Sequence, residues 1–314
     1  MENQNKIGVV FGKTGNRQRG RVMGYHQKPS PLKINDTLYG VDIGMIPKKK
    51  QKEVISFIPL STSNAGFTEF ASSRFTIGFE IEKTSFARGV VKEYELFCGF
   101  ETDSSCGYEA VTHILPLLPK STWRMKIFDL MVKAKNVIDS PCDIRCGGHI
   151  NIGVENKSGE QILQETRKYM GILYAIFRYR LTQNYCRYNP RLLSSLSLQP
   201  YTTDFTLLYH SKYRVALPKY NLLEIRLPSR VENVKQLMRR YELMYELVDT
   251  AFNSPKTTFK SFLKKVRPII MRMYDNDEQR VDLVYKLAVD FQKYIDKGSI
   301  SPLINPFLPA QTIG

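Results

Sequence analysis

Apolar and polar residues alternate in three short segments of the chain, and this period of two predicts β-strands. The predicted strands are residues 75–82, 146–154 and 221–227. Four longer segments carry apolar residues every three or four positions, which predicts amphipathic helices that cover a sheet. The predicted helices are residues 120–137, 158–185, 229–252 and 277–297. Capping-box patterns at Ser158 and Ser229 begin two of them, and Gly298 ends the last.

The alternation places polar side chains in pairs on one face of each strand. In the first strand Phe79 and Ile81 share one face, and Glu80 and Glu82 share the other. Two carboxylates so close together in a partly buried sheet repel unless a cation or a proton lies between them, which indicates a divalent-metal site. Taken alone, an acidic strand face in solvent explains this pair equally well. The other two strands pair His149 with Asn151, and Glu224 with Arg226.

Further charged residues lie between and after these strands. Asp103 suits a turn, and Glu109 lies where a regular element begins. So many acids would overload a pocket without a metal, while His149, Arg214 and Arg226 are cations suited to phosphate. A cage of acidic ligands beside a basic clamp indicates phosphoryl-transfer chemistry.

Short motifs occur in a fixed order within residues 74–230. They are Gly78-x-Glu80-x-Glu82, Asp103-x-Ser105 with Glu109, Cys146-Gly147-x-His149-x-Asn151, and Tyr213-Arg214-x-Ala216-Leu217 followed by Glu224-x-Arg226. This ordered set resembles the amidoligase family, which is related to glutamine synthetase and glutamate-cysteine ligase and forms amide bonds with ATP. Two positions depart from the family pattern, because Asn151 stands where a second His is frequent and Pro218 where Asn is frequent.

The resemblance implies an α+β fold in which a curved antiparallel sheet holds the active site on its concave polar face, with helices packed outside. It implies an ATP-dependent carboxylate-amine ligase that works through an acyl phosphate on small-molecule or peptide substrates. The implied cofactors are ATP and Mg²⁺, or Mn²⁺ in its place. The implied roles are metal ligation by Glu80, Glu82, Glu109 and Glu224, cofactor binding by His149, Asn151 and Arg226, neutralisation of the phosphoryl group by Arg214 and Arg226, and orientation of the amine by Asp103.

Positive charge is concentrated at the N-terminal end. The chain has 46 Lys and Arg against 30 Asp and Glu, a net charge of +16. Residues 1–60 hold eleven of the basic side chains and four of the acidic ones. We therefore expect a basic N-terminal arm over residues 1–70, with contact to polyanions such as nucleic acid, and a catalytic domain with C-terminal helices over residues 71–314.

Other functions remain compatible with these residues. A metal-dependent nuclease, or another nucleic-acid-binding protein, uses similar carboxylate ligands and explains the net charge better. A noncatalytic structural protein on the same fold is a third reading. Zinc binding by Cys142, Cys146 and His149 is disfavoured because the spacing is irregular and no fourth ligand is adjacent.

Compartment is indicated by cysteine usage and by the length of apolar runs. Five cysteines at irregular spacing are typical of reduced thiols rather than of a secreted disulfide framework. The longest apolar run, residues 170–177, is far shorter than the roughly 20 residues of a membrane-spanning helix. We therefore expect a cytoplasmic protein without a membrane span.

Overall fold

The computed structural model describes residues 22–26, 33–34, 37–38, 58–61, 70–86, 94–103, 106–184, 187–188 and 214–302. In these residues an antiparallel sheet packs against several helices, so the chain is α+β, as the sequence predicts. The described helices include none that is both long enough and apolar enough to span a membrane.

Eight strands of the described residues form the central sheet. They are β1 (Val22–His26), β6 (Phe75–Lys83), β7 (Phe97–Asp103), β8 (Gly107–Thr112), β9 (Leu115–Pro116), β10 (Gly148–Val154), β13 (Ala216–Pro218) and β14 (Leu223–Ile225). Their order is β1-β7-β8-β6-β10-β14-β13, with β9 paired to β6, and every pairing is antiparallel. The three predicted strands are β6, β10 and β14, so they are adjacent in the sheet.

Short two-stranded ladders lie outside the central sheet. Their strands are β2 (Lys33–Ile34), β3 (Thr37–Leu38), β4 (Ile58–Ser61), β5 (Phe70–Ser73), β11 (Gln183–Asn184) and β12 (Arg187–Tyr188). They pair as β2–β3, β4–β5 and β11–β12. Within the predicted basic arm, β1 differs from these ladders because its backbone pairs with β7 at the edge of the central sheet.

Seven α-helices are present in the described residues. They are α1 (Thr122–Lys133), α2 (Lys135–Ile138), α3 (Gly159–Thr166), α4 (Gly171–Ile176), α5 (Val234–Asn253), α6 (Phe259–Met273) and α7 (Glu278–Asp296). Short 3₁₀ turns, Arg167–Tyr169 and Arg178–Thr182, flank α4. The predicted helix over 277–297 is confirmed as α7, while the one over 120–137 is divided into α1 and α2 at Ala134.

The single helix predicted over residues 158–185 is wrong beyond its start. Its capping box forms, because Ser158 accepts from the Gln161 N–H and Gln161 accepts from the Ser158 N–H. The continuous ladder then ends before Gly171, whose N–H donates to the Gln292 side chain of α7 at 2.9 Å. A contact with a residue 121 positions away therefore breaks the helix.

Two further helix predictions need correction. The capping box expected at Ser229 does not form, and α5 begins at Val234 with Asn233 as its N-cap, which accepts from the Gln236 N–H. Helix α6 was not expected from the pattern of the sequence, and it contains Pro268, a residue that usually ends helices.

The apolar side of the sheet and the inner sides of the helices form one buried cluster. Phe79 of β6 and Ile150 of β10 are cross-strand partners in this cluster, and Tyr241 of α5 belongs to it. The Tyr241 hydroxyl donates to the Pro116 carbonyl at 2.5 Å and accepts from the Leu118 N–H at 2.9 Å. These bonds tie α5 to the end of β9. Since side chains alternate along a strand, the polar residues of β6 and β10 project from the opposite face.

Candidate functional site

Cross-strand register brings the predicted polar residues of β6, β10 and β14 together. His149 lies directly opposite Glu80, and Asn151 lies directly opposite Glu224. Opposed residues in an antiparallel sheet carry their side chains on the same face. The three predicted polar pairs therefore meet on adjacent strands, at the centre of the sheet.

Glu80, His149 and Glu224 form a group that can hold a metal ion. One ligand atom from each lies within 4.8 Å of the others. Nδ1 of His149 is 3.1 Å from Oε2 of Glu80 and 3.8 Å from Oε1 of Glu224. His149 and Glu224 are buried, with 6% and 2% of their surface exposed. Within the described part of the chain, this is the group of His, Cys, Asp and Glu side chains that meets a metal-site geometry.

Asn151 orients Glu80 and leaves one acceptor unused. Its Nδ2 donates to Oε1 of Glu80 at 3.0 Å. Its Oδ1 is buried and has no hydrogen-bond partner among the described residues. A buried amide oxygen without a partner costs free energy, so this atom is suited to a ligand donor or a cation beside Glu80.

Nearby cations keep both carboxylates ionised. Burial raises the pKa of Glu80, but the hydrogen bond and charge of His149, aided by Lys219 and Asn151, outweigh burial and hold that pKa well below its usual range. Burial and the charge of Glu80 raise the pKa of Glu224, whereas Arg226, Lys219 and His149 lower it, and the net shift is downward. At neutral pH the group therefore offers two charged carboxylates.

Both carboxylate oxygens of Glu224 contact cations of the chain itself. Nη1 of Arg226 donates to Oε1. Nζ of Lys219 lies 2.6 Å from Oε2. Burial lowers the pKa of Arg226, but the charges of Glu224 and Glu80 outweigh burial and raise it. The site therefore combines acids and bases at contact distance.

Glu82 lies at the other side of His149. Its Oε1 is 3.7 Å from Nε2 of His149, and its Oε2 accepts from the Gly147 N–H at 2.5 Å. A Cβ on Gly147 would lie 3.0 Å from Nη2 of Arg180, 3.2 Å from Oε2 of Glu82 and 3.3 Å from Nε2 of His149. The absence of a side chain at Gly147 thus leaves room for the side chains of Arg180, Glu82 and His149.

Glu109 belongs to a second row of acids. It lies opposite Glu82 on one side and opposite Glu101 on the other, so three carboxylates occupy neighbouring strands on one face. Glu109 is buried, with 4% of its surface exposed. It is not part of the Glu80, His149 and Glu224 group, so two of the four predicted metal ligands, Glu80 and Glu224, belong to that group and the other two, Glu82 and Glu109, lie opposite each other outside it.

Arg214 lies close to the end of β14, next to Arg226 and Leu227. The carbonyl of Val215 accepts from the N–H groups of Arg226 and Leu227, so residue 214 lies beside the end of β14. Nε of Arg214 and Nε of Arg226 are buried and have no hydrogen-bond partner among the described residues. Two guanidinium donors are therefore left for an anion.

Asp103 is not brought to the metal-capable group. It is the last residue of β7 and lies opposite Gly107, whereas the row that contains Glu80 continues through Val111 to Gly99. Asp103 is thus four residues further along β7, about 13 Å, and two strands from Glu80. A role in orienting an amine at this group is not supported by its position.

Sequence reasoning missed Lys219 and Arg180. Lys219 lies in the turn between β13 and β14, where a lysine ordinarily faces solvent, and no periodicity signals its contact with Glu224. Arg180 lies in a 3₁₀ turn inside the segment predicted as one long helix. Zinc binding by Cys142, Cys146 and His149 receives no support, because both cysteines are free thiols outside the Glu80, His149 and Glu224 group.

The motif residues Ser105 and Tyr213 lie outside the described residues, as does Cys186. The chain matches no protein-family model, and a search of curated proteins finds no significant match.

Proposed function

We propose that this protein is an ATP-dependent carboxylate-amine ligase. The observation that carries the proposal is the group of Glu80, His149 and Glu224, which lies beside the guanidinium of Arg226 with its buried and, among the described residues, unpartnered Nε donor. Phosphoryl transfer requires acidic metal ligands next to hydrogen-bond donors that can bind phosphate oxygens, and this arrangement offers both. The order of the motifs adds the amide-forming chemistry of the family that the chain resembles.

The donor set fits Mg²⁺ or Mn²⁺. Glu80 and Glu224 offer hard carboxylate oxygens, and the unpartnered Oδ1 of Asn151 adds a neutral oxygen. His149 adds an imidazole nitrogen, which favours Mn²⁺ over Mg²⁺ at this group. When bound, such an ion supplies Lewis-acid stabilisation of charge on phosphate oxygens. The neighbouring Glu82 and Glu109 would hold a second ion.

We assign the remaining roles in the reaction to side chains of the protein itself. Arg214 and Arg226 would bind the phosphate oxygens through their Nε and Nη donors, which is the role that the resemblance implies for them. Asn151 keeps the carboxylate of Glu80 oriented. Burial of Glu224 and His149 excludes water, which protects an acyl phosphate until an amine attacks it.

The substrates we propose are a small-molecule or peptide carboxylate and an amine, and the sheet is proposed to have the curved form of glutamine synthetase. We also propose a cytoplasmic location. The described cysteines are free thiols, and thiols stay reduced in that compartment.

Hydroxylamine trapping tests the proposal. With ATP, Mg²⁺ and a panel of amino acids and small peptides, the protein should form a hydroxamate and release ADP. Glu224→Gln keeps the shape but removes one metal-binding charge, so hydroxamate formation should fall by roughly 100-fold or more. Glu160→Gln changes an exposed carboxylate on α3 and should leave the rate unchanged.

The net charge of +16 favours a second candidate, a metal-dependent nuclease that contacts its polyanion through the basic arm. Cleavage of DNA or RNA with Mg²⁺ that Glu224→Gln abolishes, without any hydroxamate, would replace the ligase by the nuclease. Neither activity, together with salt-dependent binding of nucleic acid, would identify a noncatalytic binding protein.

A further inference from the structure

Both carboxylate oxygens of Glu224 are already in contact with cations of the chain in the arrangement that the structure shows. Arg226 donates to its Oε1, and Nζ of Lys219 lies 2.6 Å from its Oε2. A divalent cation within ligand distance of either oxygen would also lie against a positive group. Each oxygen keeps a second lone pair, but the adjacent positive charges oppose a divalent ion, so metal binding to Glu224 is favoured when one of the two cations moves away.

The two cations differ in how easily they move. Arg226 lies two residues after Glu224, just past the end of β14, and its side chain is 15% exposed. Its planar guanidinium is held in a fixed geometry. The side chain of Lys219 is 23% exposed and carries its charge on a flexible stem of four carbons. Lys219 is thus the cation that can leave.

The backbone of Lys219 is fixed although its side chain is flexible. Its N–H donates to the Leu222 carbonyl at 2.8 Å, and its own carbonyl accepts from the Gly159 N–H at 3.0 Å. The turn between β13 and β14 is thereby attached to the first residue of α3. Because the backbone of Lys219 is fixed, its ammonium group can move only within the reach of its own side chain.

We propose that Lys219 is a tethered counter-ion of the metal centre. Its ammonium group neutralises Glu224 while no divalent ion is bound, leaves Oε2 when the ion arrives, and then binds phosphate oxygens of the nucleotide. The inference rests on the proposed function, and it assigns Lys219 to the nucleotide site. Lysine is suited to this exchange because its three donors bind carboxylate and phosphate alike.

The proposal predicts opposite effects of one substitution on two ligands. Lys219→Met removes the competing charge, so Mn²⁺ alone should bind about ten-fold tighter. With Mn²⁺ saturating, a nonhydrolysable ATP analogue should bind about ten-fold weaker, because one phosphate contact is lost. Both affinities are measurable by calorimetry. Lys157→Met, at an exposed lysine just before α3, is the matched control and should change neither.

The possible failures are distinguishable. If Mn²⁺ binds the native protein and Lys219→Met leaves this affinity unchanged or weaker, the counter-ion role is wrong while the metal centre stands. If neither protein binds Mn²⁺, and both melt cooperatively, the metal centre of the proposed function is wrong and the role of Lys219 with it. Lys219→Gln removes the same charge and repeats the measurement if the methionine variant does not fold.

Discussion

Lys83 shows how a single residue of β6 serves the fold rather than the site. It is fully buried on the same side of the strand as Phe79 and Ile81. Its Nζ donates to three backbone carbonyls, those of Ile138 at 2.5 Å, Ser140 at 2.9 Å and Val231 at 2.6 Å. Burial lowers its pKa, and the nearby Cys142, Cys146 and Asp139 oppose that shift. The lysine thereby joins the end of α2 and the segment before α5 to the sheet.

Replacing Lys83 should therefore destabilise the protein strongly. Lys83→Met fills the space but removes the ammonium donor from three buried carbonyls, of which, among the described residues, only that of Val231 keeps another donor, the Cys142 thiol. We expect a loss of about 3 kcal/mol or more in the free energy of unfolding. Urea titration followed by circular dichroism measures it. Lys157→Met should cost less than about 0.5 kcal/mol. A loss below about 1 kcal/mol for Lys83→Met would contradict the assigned contacts.

The roles of the two glutamates of β6 could be predicted from the sequence, whereas those of two lysines could not. Glu80 and Glu82 are identifiable because a strand period of two puts like charges together, which is costly without a cation. Lys83 and Lys219 are not identifiable in this way. The partner of Lys83 at Ile138 lies 55 positions away along the chain, and Lys219 contacts Glu224 across a turn. Contacts made across turns or between segments far apart in the sequence produce no periodic pattern of residues.

At the scale of elements, the docking of α3 on the turn between β13 and β14 fixes the site. A Cβ on Gly159 would lie 2.2 Å from the Leu222 carbonyl oxygen, 2.3 Å from that of Lys219 and 2.5 Å from the Lys219 nitrogen. All three are backbone atoms, which cannot rotate away. The turn thus approaches the helix so closely that only glycine fits.

Gly159→Ala should push this turn away from α3. We expect a loss of about 1–3 kcal/mol in the free energy of unfolding, since overpacking of a tight contact costs this much. Because this turn carries Lys219 and leads into β14 with Glu224, the affinity for Mn²⁺ should change as well. Thermal melting and Mn²⁺ titration check both, with Lys157→Ala as the control. A variant with native stability and native Mn²⁺ affinity would show that the contact is not tight.

Elements were predictable where local signals decide and not where tertiary contacts override them. Strand β6, the capping box at Ser158 and helix α7 follow from spacing and capping alone. The break before Gly171 comes from Gln292, and α6 persists through Pro268 because its other side is packed. The order of strands in the sheet follows from no local pattern.

Across the whole molecule, one carboxylate links three helices. Glu242 of α5 contacts Arg124 of α1 at 2.9 Å, Arg239 of α5 at 2.7 Å and Arg272 of α6 at 3.1 Å. Burial raises the pKa of Glu242, but the hydrogen bonds of Arg239 and Arg272, with the charge of Arg124, outweigh burial and lower it. The folded protein therefore holds this proton more weakly than the unfolded chain does.

This shift predicts an acid-sensitive contribution to stability. The contribution is fully present above the ordinary glutamate value of 4.5 and disappears as the pH falls through the lowered value of the folded state. Glu242→Gln should lower the free energy of unfolding at pH 7 by about 1–3 kcal/mol and flatten its decline between about pH 5 and pH 3. Urea midpoints at several pH values measure this. Glu160→Gln should keep the native slope, and an equally steep slope in Glu242→Gln would refute the assignment.

The row of Glu82, Glu109 and Glu101 across three neighbouring strands couples ligand occupancy to folding. Like charges directly opposite each other on adjacent strands are destabilising, so a cation that binds at this row would favour the folded sheet. By thermodynamic linkage, a ligand at one hundred times its dissociation constant adds about 2.7 kcal/mol to the stability of the native state. A rise in the melting temperature on addition of a metal ion, a nucleotide, a carboxylate or an amine would therefore report that this compound binds, independently of any reaction product.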